Sequence, residues 1–129
     1  MFSTNVFSAV FAALVGAQAV SAAALAPATI TVCTGAGNPP QGCVTIPVVS
    51  DECTDFTGGL SFLNKEVTIV EVPDGFVCTF YEAFGCFGTQ NTQDAVVLTS
   101  GTWDMSSVPG IASTVNFNDM ASSFTCSPL

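Results

Sequence analysis

The chain has no histidine and a single basic side chain, Lys65, set against ten carboxylates in 129 residues. Each shortage removes a class of function. Without histidine, the usual Ser–His–Asp arrangement for hydrolysis is not available. A formal net charge of −9 with one cation cannot neutralise phosphates, so nucleic acid and anionic membrane surfaces are not expected partners. The chain also lacks a Cys-x-x-Cys pair, and with no histidine it has no zinc-finger spacing. There is no Asn-x-Ser/Thr sequon and no glycine-rich phosphate loop. After the N-terminal segment, no apolar run reaches the length of a membrane span.

What is present begins with that N-terminal segment, Met1 to about Ala22. Its stretch from Val6 to Val20 is rich in alanine, valine and phenylalanine, interrupted by Ser8 and Gly16. Small residues at Ala17/Ala19 and Val20/Ala22 offer two cleavage frames. This is the pattern of a secretory signal, too short and too weakly apolar for a stable span. The expectation is a secreted protein with one domain over 23–129 and no membrane contact once residues 1–22 are removed. Roughly a hundred residues remain, enough for one modest core.

Six cysteines follow: Cys33, Cys43, Cys53, Cys78, Cys86 and Cys126. An even number in an exported chain reads as a disulfide framework. A cysteine nucleophile would need a reduced thiol, which that compartment disfavours.

Strand signals dominate the mature region. Ile30 and Val32 alternate with Thr29 and Thr31, and Val44, Ile46 and Val48 alternate along the next run. Pro47 marks that run as an edge. Glu66 to Val72 is dense in β-branched residues; Phe76 to Glu82, Ala95 to Thr99 and Ser122 to Ser127 follow. Turn signals separate them: Gly35 to Pro40, Gly58-Gly59 and Pro73-Asp74-Gly75. Many short strands with frequent turns predict an all-β sandwich.

The chain also repeats itself. Val32-Cys33-Thr34 recurs as Val77-Cys78-Thr79, each followed by a loop ending in Gly-Cys, at Gly42-Cys43 and Gly85-Cys86. Phe62 to Thr68 parallels Asn116 to Ser122. Two units this small must pack on each other to bury a face. The repeat suggests Cys33–Cys43 and Cys78–Cys86 as equivalent bridges, leaving Cys53–Cys126.

Three stretches of the second half carry a family likeness. In Thr79 to Gly88, an aromatic residue is followed seven positions later by glycine, Tyr81 and Gly88. Val97 to Asp104 supplies a strand, a glycine and an aromatic. Asn118-Asp119-Met120-Ala121-Ser122-Ser123 fits a six-residue pattern of Asn/Asp, Asn/Asp, two free positions, Ser/Thr and Ser. Together these resemble a βγ-crystallin Greek key motif. The resemblance implies two Greek keys, about 28–72 and 76–127, packed as a small β-sandwich. It implies a hairpin folded back over the sheet, with Tyr81 and Gly88 shaping it, Gly88 at positive φ, and Ser123 tying it down. It also implies calcium sites that exchange ligands between two copies of the motif, with Asn118, Asp119 and Ser122 meeting Asn64 and Thr68. In the first copy, Asn64 to Ile69, lysine stands second and isoleucine sixth, so Lys65 sets a cation where an oxygen ligand is expected. The layout as a whole resembles small secreted cysteine-rich proteins of fungi.

These residues also have plainer readings. Asn118-Asp119 can form an Asx turn, with the serines satisfying backbone groups. Asp51, Glu52 and Asp55 around Cys53 read as solvated carboxylates before paired catalytic ones. Trp103, Tyr81, Phe84 and Phe87 read as core or hairpin cover before an exposed patch. The expectation is a non-enzymatic, disulfide-stapled module with no cofactor except weakly held calcium. The alternative is an effector, toxin, antimicrobial or protease-inhibitor-like protein that meets an extracellular protein or glycan, with the Gly35 to Gly42 loop as a candidate inhibitory segment.

Overall fold

The computed structural model describes residues 27–35, 42–88, 94–110 and 113–129. The leader and most of the loop between Gly35 and Gly42 lie outside the described residues.

Strands begin where the alternation of threonine with β-branched residues begins. β1 (Thr29–Thr34) turns Ile30 and Val32 inward. β2 (Cys43–Pro47) buries Ile46 and runs at a sheet edge, which suits Pro47. β3 (Thr54–Asp55) is short and leads into Phe56. Gly58-Gly59, read as a turn, instead opens a 3₁₀ helix, Gly58–Leu63, that buries Leu63. β4 (Val67–Val72) buries Val67, Val70 and Val72. Pro73-Asp74-Gly75 then turns the chain into β5 (Phe76–Tyr81), which buries Cys78 and Phe80. β6 (Ala95–Leu98) and β7 (Gly101–Asp104) follow. A small ribbon of β8 (Val108–Pro109) and β9 (Thr114–Val115) precedes β10 (Ser123–Pro128).

The strands form two four-stranded antiparallel sheets, ordered β2-β1-β4-β7 and β3-β10-β5-β6. The first key is β1 to β4 and the second is β5, β6, β7 and β10. In each key the third strand leaves for the other key's sheet. β3 pairs with β10, with Asp55 opposite Ser123, and β7 pairs with β4, with Asp104 opposite Ile69. Phe56, carried in by β3, packs 5.8 Å from the ring of Phe124, which stacks on Phe80 at 5.1 Å. Buried aromatic rings thus join residues of both keys in one core.

The disulfides correct part of the expected pairing. Cys33 is bridged to Cys43, its direct neighbour across β1 and β2. Cys78 is bridged to Cys126 and Cys53 to Cys86, in place of Cys78–Cys86 and Cys53–Cys126. The reason is register. Ile69 and Ser123 are equivalent sixth positions of the two motifs; Cys33 lies opposite Ile69, while Tyr81 lies opposite Ser123. Cys33 therefore corresponds to Tyr81, not to Cys78, and the Val-Cys-Thr repeat is three residues out of step with the fold. In the middle of β5, Cys78 meets Cys126 across the ladder. Cys86 lies beyond the strand, where its Cα is 5.8 Å from that of Cys53.

These bridges close loops of unequal size, 48 residues for Cys78–Cys126 and 10 for Cys33–Cys43. In the chain-entropy view, removing the first pair as Cys78→Ala/Cys126→Ala costs about 4 kcal/mol, against about 3 for Cys33→Ala/Cys43→Ala. Denaturant melts of the two double variants check that order.

Candidate cation site between the two keys

The two six-residue motifs sit back to back where the keys meet. Lys65 N–H donates to the Ala121 carbonyl at 2.9 Å, and Asp119 N–H donates to the Val67 carbonyl at 3.1 Å. Lys65 matches Asp119 in the repeat, and Val67 matches Ala121, so the two bonds are one contact made twice about an approximate twofold axis. The backbone angles agree: φ is 62° at Lys65 and 61° at Asp119. Aspartate tolerates this left-handed region better than lysine does. Lysine is held there by the tight turn after the 3₁₀ helix, in which Asn64 and Glu66 N–H groups donate to the Ser61 and Leu63 carbonyls.

From that turn the Lys65 side chain crosses to the second key. Its Nζ donates to the Glu82 carbonyl at 2.6 Å and to the Met120 carbonyl at 3.0 Å. Nothing in the sequence marks these two carbonyls, because every residue has one. Lys65 itself was marked by the motif, in which it stands second, where an oxygen ligand is expected.

Around this junction three buried oxygens have no hydrogen-bond partner among the described residues: Asn64 Oδ1, Asn118 Oδ1 and Ser122 Oγ. Leaving such an atom unpaired costs about 1–3 kcal/mol each, so they ask for a ligand or water. All three belong to the expected ligand set. Thr68 is half-buried at the start of β4, and Asp119 is exposed at the mouth of its turn.

Ser123 belongs to the hairpin instead. Its buried Oγ donates to the Ala83 carbonyl at 2.6 Å and accepts from Cys86 N–H at 3.0 Å. Asp55 Oδ1 accepts from Gly85 N–H at 2.7 Å, which draws the hairpin onto β3. The positive φ here falls at Gly85 (79°) and Cys86 (53°), not at Gly88 as expected. Gly88 instead sits where space is tight: an added Cβ would stand 3.2 Å from Cδ2 of Tyr81 and 3.3 Å from Cβ of Ala95, closer than ordinary van der Waals contact.

The remaining carboxylates scatter. Asp51 Oδ1 accepts from Ser127 Oγ, Asp55 holds the hairpin, and Glu52 is exposed. An open groove beside β1 and β7 is lined by Thr29, Thr31, Glu71, Asp74 and Gly101. Both its carboxylates are exposed. Among the described residues, no three Cys, His, Asp or Glu side chains cluster as metal ligands, so a cation here would draw on the Asp119 carboxylate together with amide, hydroxyl and carbonyl oxygens. Nor does any described helix have the length and apolarity to cross a membrane. Of the aromatics, Trp103 packs against the core and donates Nε1–H to the Thr99 carbonyl at 2.8 Å. Tyr81 is half-buried, while Phe84 and Phe87 are exposed.

Two Greek keys with exchanged third strands and paired motifs at their junction define the βγ-crystallin fold. Solved structures agree. The N-terminal domain of Protein S matches with a TM-score of 0.52 and 19% identity, over 79% of this chain and 98% of that one. A double-mutant betagamma-crystallin domain from Clostridium beijerinckii matches with a TM-score of 0.51 and 18% identity, over 78% and 97%. A betagamma-crystallin domain from Flavobacterium johnsoniae gives 0.51 and 17%, over 77% and 93%. This chain is thus a disulfide-stapled β-sandwich with a βγ-crystallin-like fold. No protein-family model matches it, and no curated protein matches it.

The Ser123 hydroxyl makes the sharpest local prediction. Ser123→Ala leaves the Ala83 carbonyl and Cys86 N–H unpaired and costs about 1–3 kcal/mol. Faster amide hydrogen exchange at Cys86, with β10 still protected, distinguishes loss of the hairpin tie from general unfolding.

Proposed function

We propose that this chain is a secreted, non-enzymatic module that binds one calcium ion weakly, in the half of the junction built from Asp119, Asn64 and Thr68. The observation that carries it is Asn64 Oδ1, a buried amide oxygen with no partner, in the motif that faces Asp119. The approximate twofold axis that sets Lys65 on the Met120 carbonyl relates Asp119 to the Glu66 carbonyl. A carboxylate, an amide, a hydroxyl and a carbonyl are hard oxygen donors, the set that calcium takes. Asn118 and Ser122 belong to the other half, which Lys65 enters. Three disulfides that use every cysteine support an oxidising, extracellular setting.

Calorimetric titration of the mature protein checks this. One equivalent of calcium binds with a Kd of about 10⁻⁴–10⁻³ M, the range of extracellular modules. At 10-fold excess over Kd, the bound ion adds about 1.4 kcal/mol and raises Tm by a few degrees. Asp119→Ala abolishes both. No heat and no rise in Tm at millimolar calcium would end the reading.

One observation favours a second role, as an interaction protein of the effector, toxin or inhibitor kind. Phe84 and Phe87 are 49% and 67% exposed on a hairpin pinned by Cys53–Cys86. Rigid exposed rings suit contact with an extracellular protein or with the flat face of a sugar. Phe84→Ser/Phe87→Ser keeps the parent Tm within a few degrees and loses any activity found in protease-inhibition or cell-growth assays; unchanged activity removes the role.

A further inference from the structure

We infer that Lys65 is a cation supplied by the chain itself: its ammonium fills one of the two cation seats at the key–key junction and closes that seat to metal. This goes beyond the calcium reading of the Asp119 half and does not depend on it.

The argument starts from charge. In a chain of net charge −9, the one basic side chain reaches two uncharged carbonyls, of Glu82 and Met120. Convergent carbonyl oxygens are what a hard cation takes when it sheds water. A protonated amine, with three donors and no acceptor, satisfies the same oxygens. The chain supplies the donor from the first key and both acceptors from the second, so the bond also ties the keys together. The approximate symmetry sharpens the contrast. The equivalent residue in the other half is Asp119, with the same φ and the opposite charge. One half therefore carries its own cation, and the other presents a carboxylate to one. A divalent ion at the Glu82 and Met120 carbonyls would have to displace the ammonium and would meet its positive charge.

Two measurements test this on the mature protein. Lys65 is the only lysine, so its side-chain ammonium gives a single assignable ¹H–¹⁵N signal. Its protons exchange with water at least tenfold more slowly than those of a free-lysine reference if they are held by the carbonyls. Lys65→Asn replaces the cation with an oxygen ligand and binds one more equivalent of calcium than the parent. Exchange at the free-lysine rate overturns the inference, as does unchanged calcium stoichiometry in folded Lys65→Asn. If the parent binds no calcium but Lys65→Asn binds one, the inference stands and the calcium reading of the Asp119 half fails. If both bind one, the inference fails and that reading stands. Should Lys65→Asn not fold, the exchange measurement on the unaltered protein decides.

Discussion

The exchange of third strands is the constraint on which the rest of this molecule depends. β3 belongs to the first key by sequence and to the second by hydrogen bonding, and β7 does the reverse. Neither sheet is complete without a strand from the other key. The exchange carries Phe56 against Phe124, and the core closes only once both keys are present. Of the three disulfides, Cys33–Cys43 and Cys78–Cys126 each lie inside one key. Cys53–Cys86 crosses between them beside β3 and fixes the exchange covalently. For a domain with a core this small, such staples add stability that apolar burial alone supplies only marginally.

The same exchange builds the junction. Because the keys interlock about an approximate twofold axis, the turns before β4 and β10 face each other and trade backbone hydrogen bonds. Sequence divergence between the two copies then falls on opposite sides of one site. Lys65 brings a positive charge to one half, and Asp119 leaves a negative charge at the other. The hairpin after β5 is fastened to this junction through Ser123 and Asp55. The exposed Phe84 and Phe87 are therefore presented by the same framework that shapes the junction between the keys.

Much of the architecture was legible residue by residue. Ile30 and Val32, or Val70 and Val72, announce strands because period-two burial needs only local alternation. Asn118-Asp119 announces a turn before a strand, with Asp119 at the left-handed φ such residues tolerate. The Asx bond, however, is made by Asn116 Oδ1, which accepts from Asn118 N–H, and of the two serines only Ser123 satisfies backbone groups. The Val-Cys-Thr repeat misled for a related reason. A three-residue match carries no register, and Cys33 occupies the place of Tyr81. Gly88 is a similar case: its spacing from Tyr81 was visible, but only packing shows that it makes room for the ring while Gly85 and Cys86 take the left-handed turn.

By itself the sequence determined the class of fold, an even set of cysteines able to pair completely, and the absence of histidine, because composition and short-range alternation act locally. Tertiary structure alone decided which sulfurs pair, which carbonyls meet Lys65, and which buried oxygens go without a partner. Those depend on bringing together residues as distant as Lys65 and Met120, and a linear pattern cannot state a distance across a junction it does not contain.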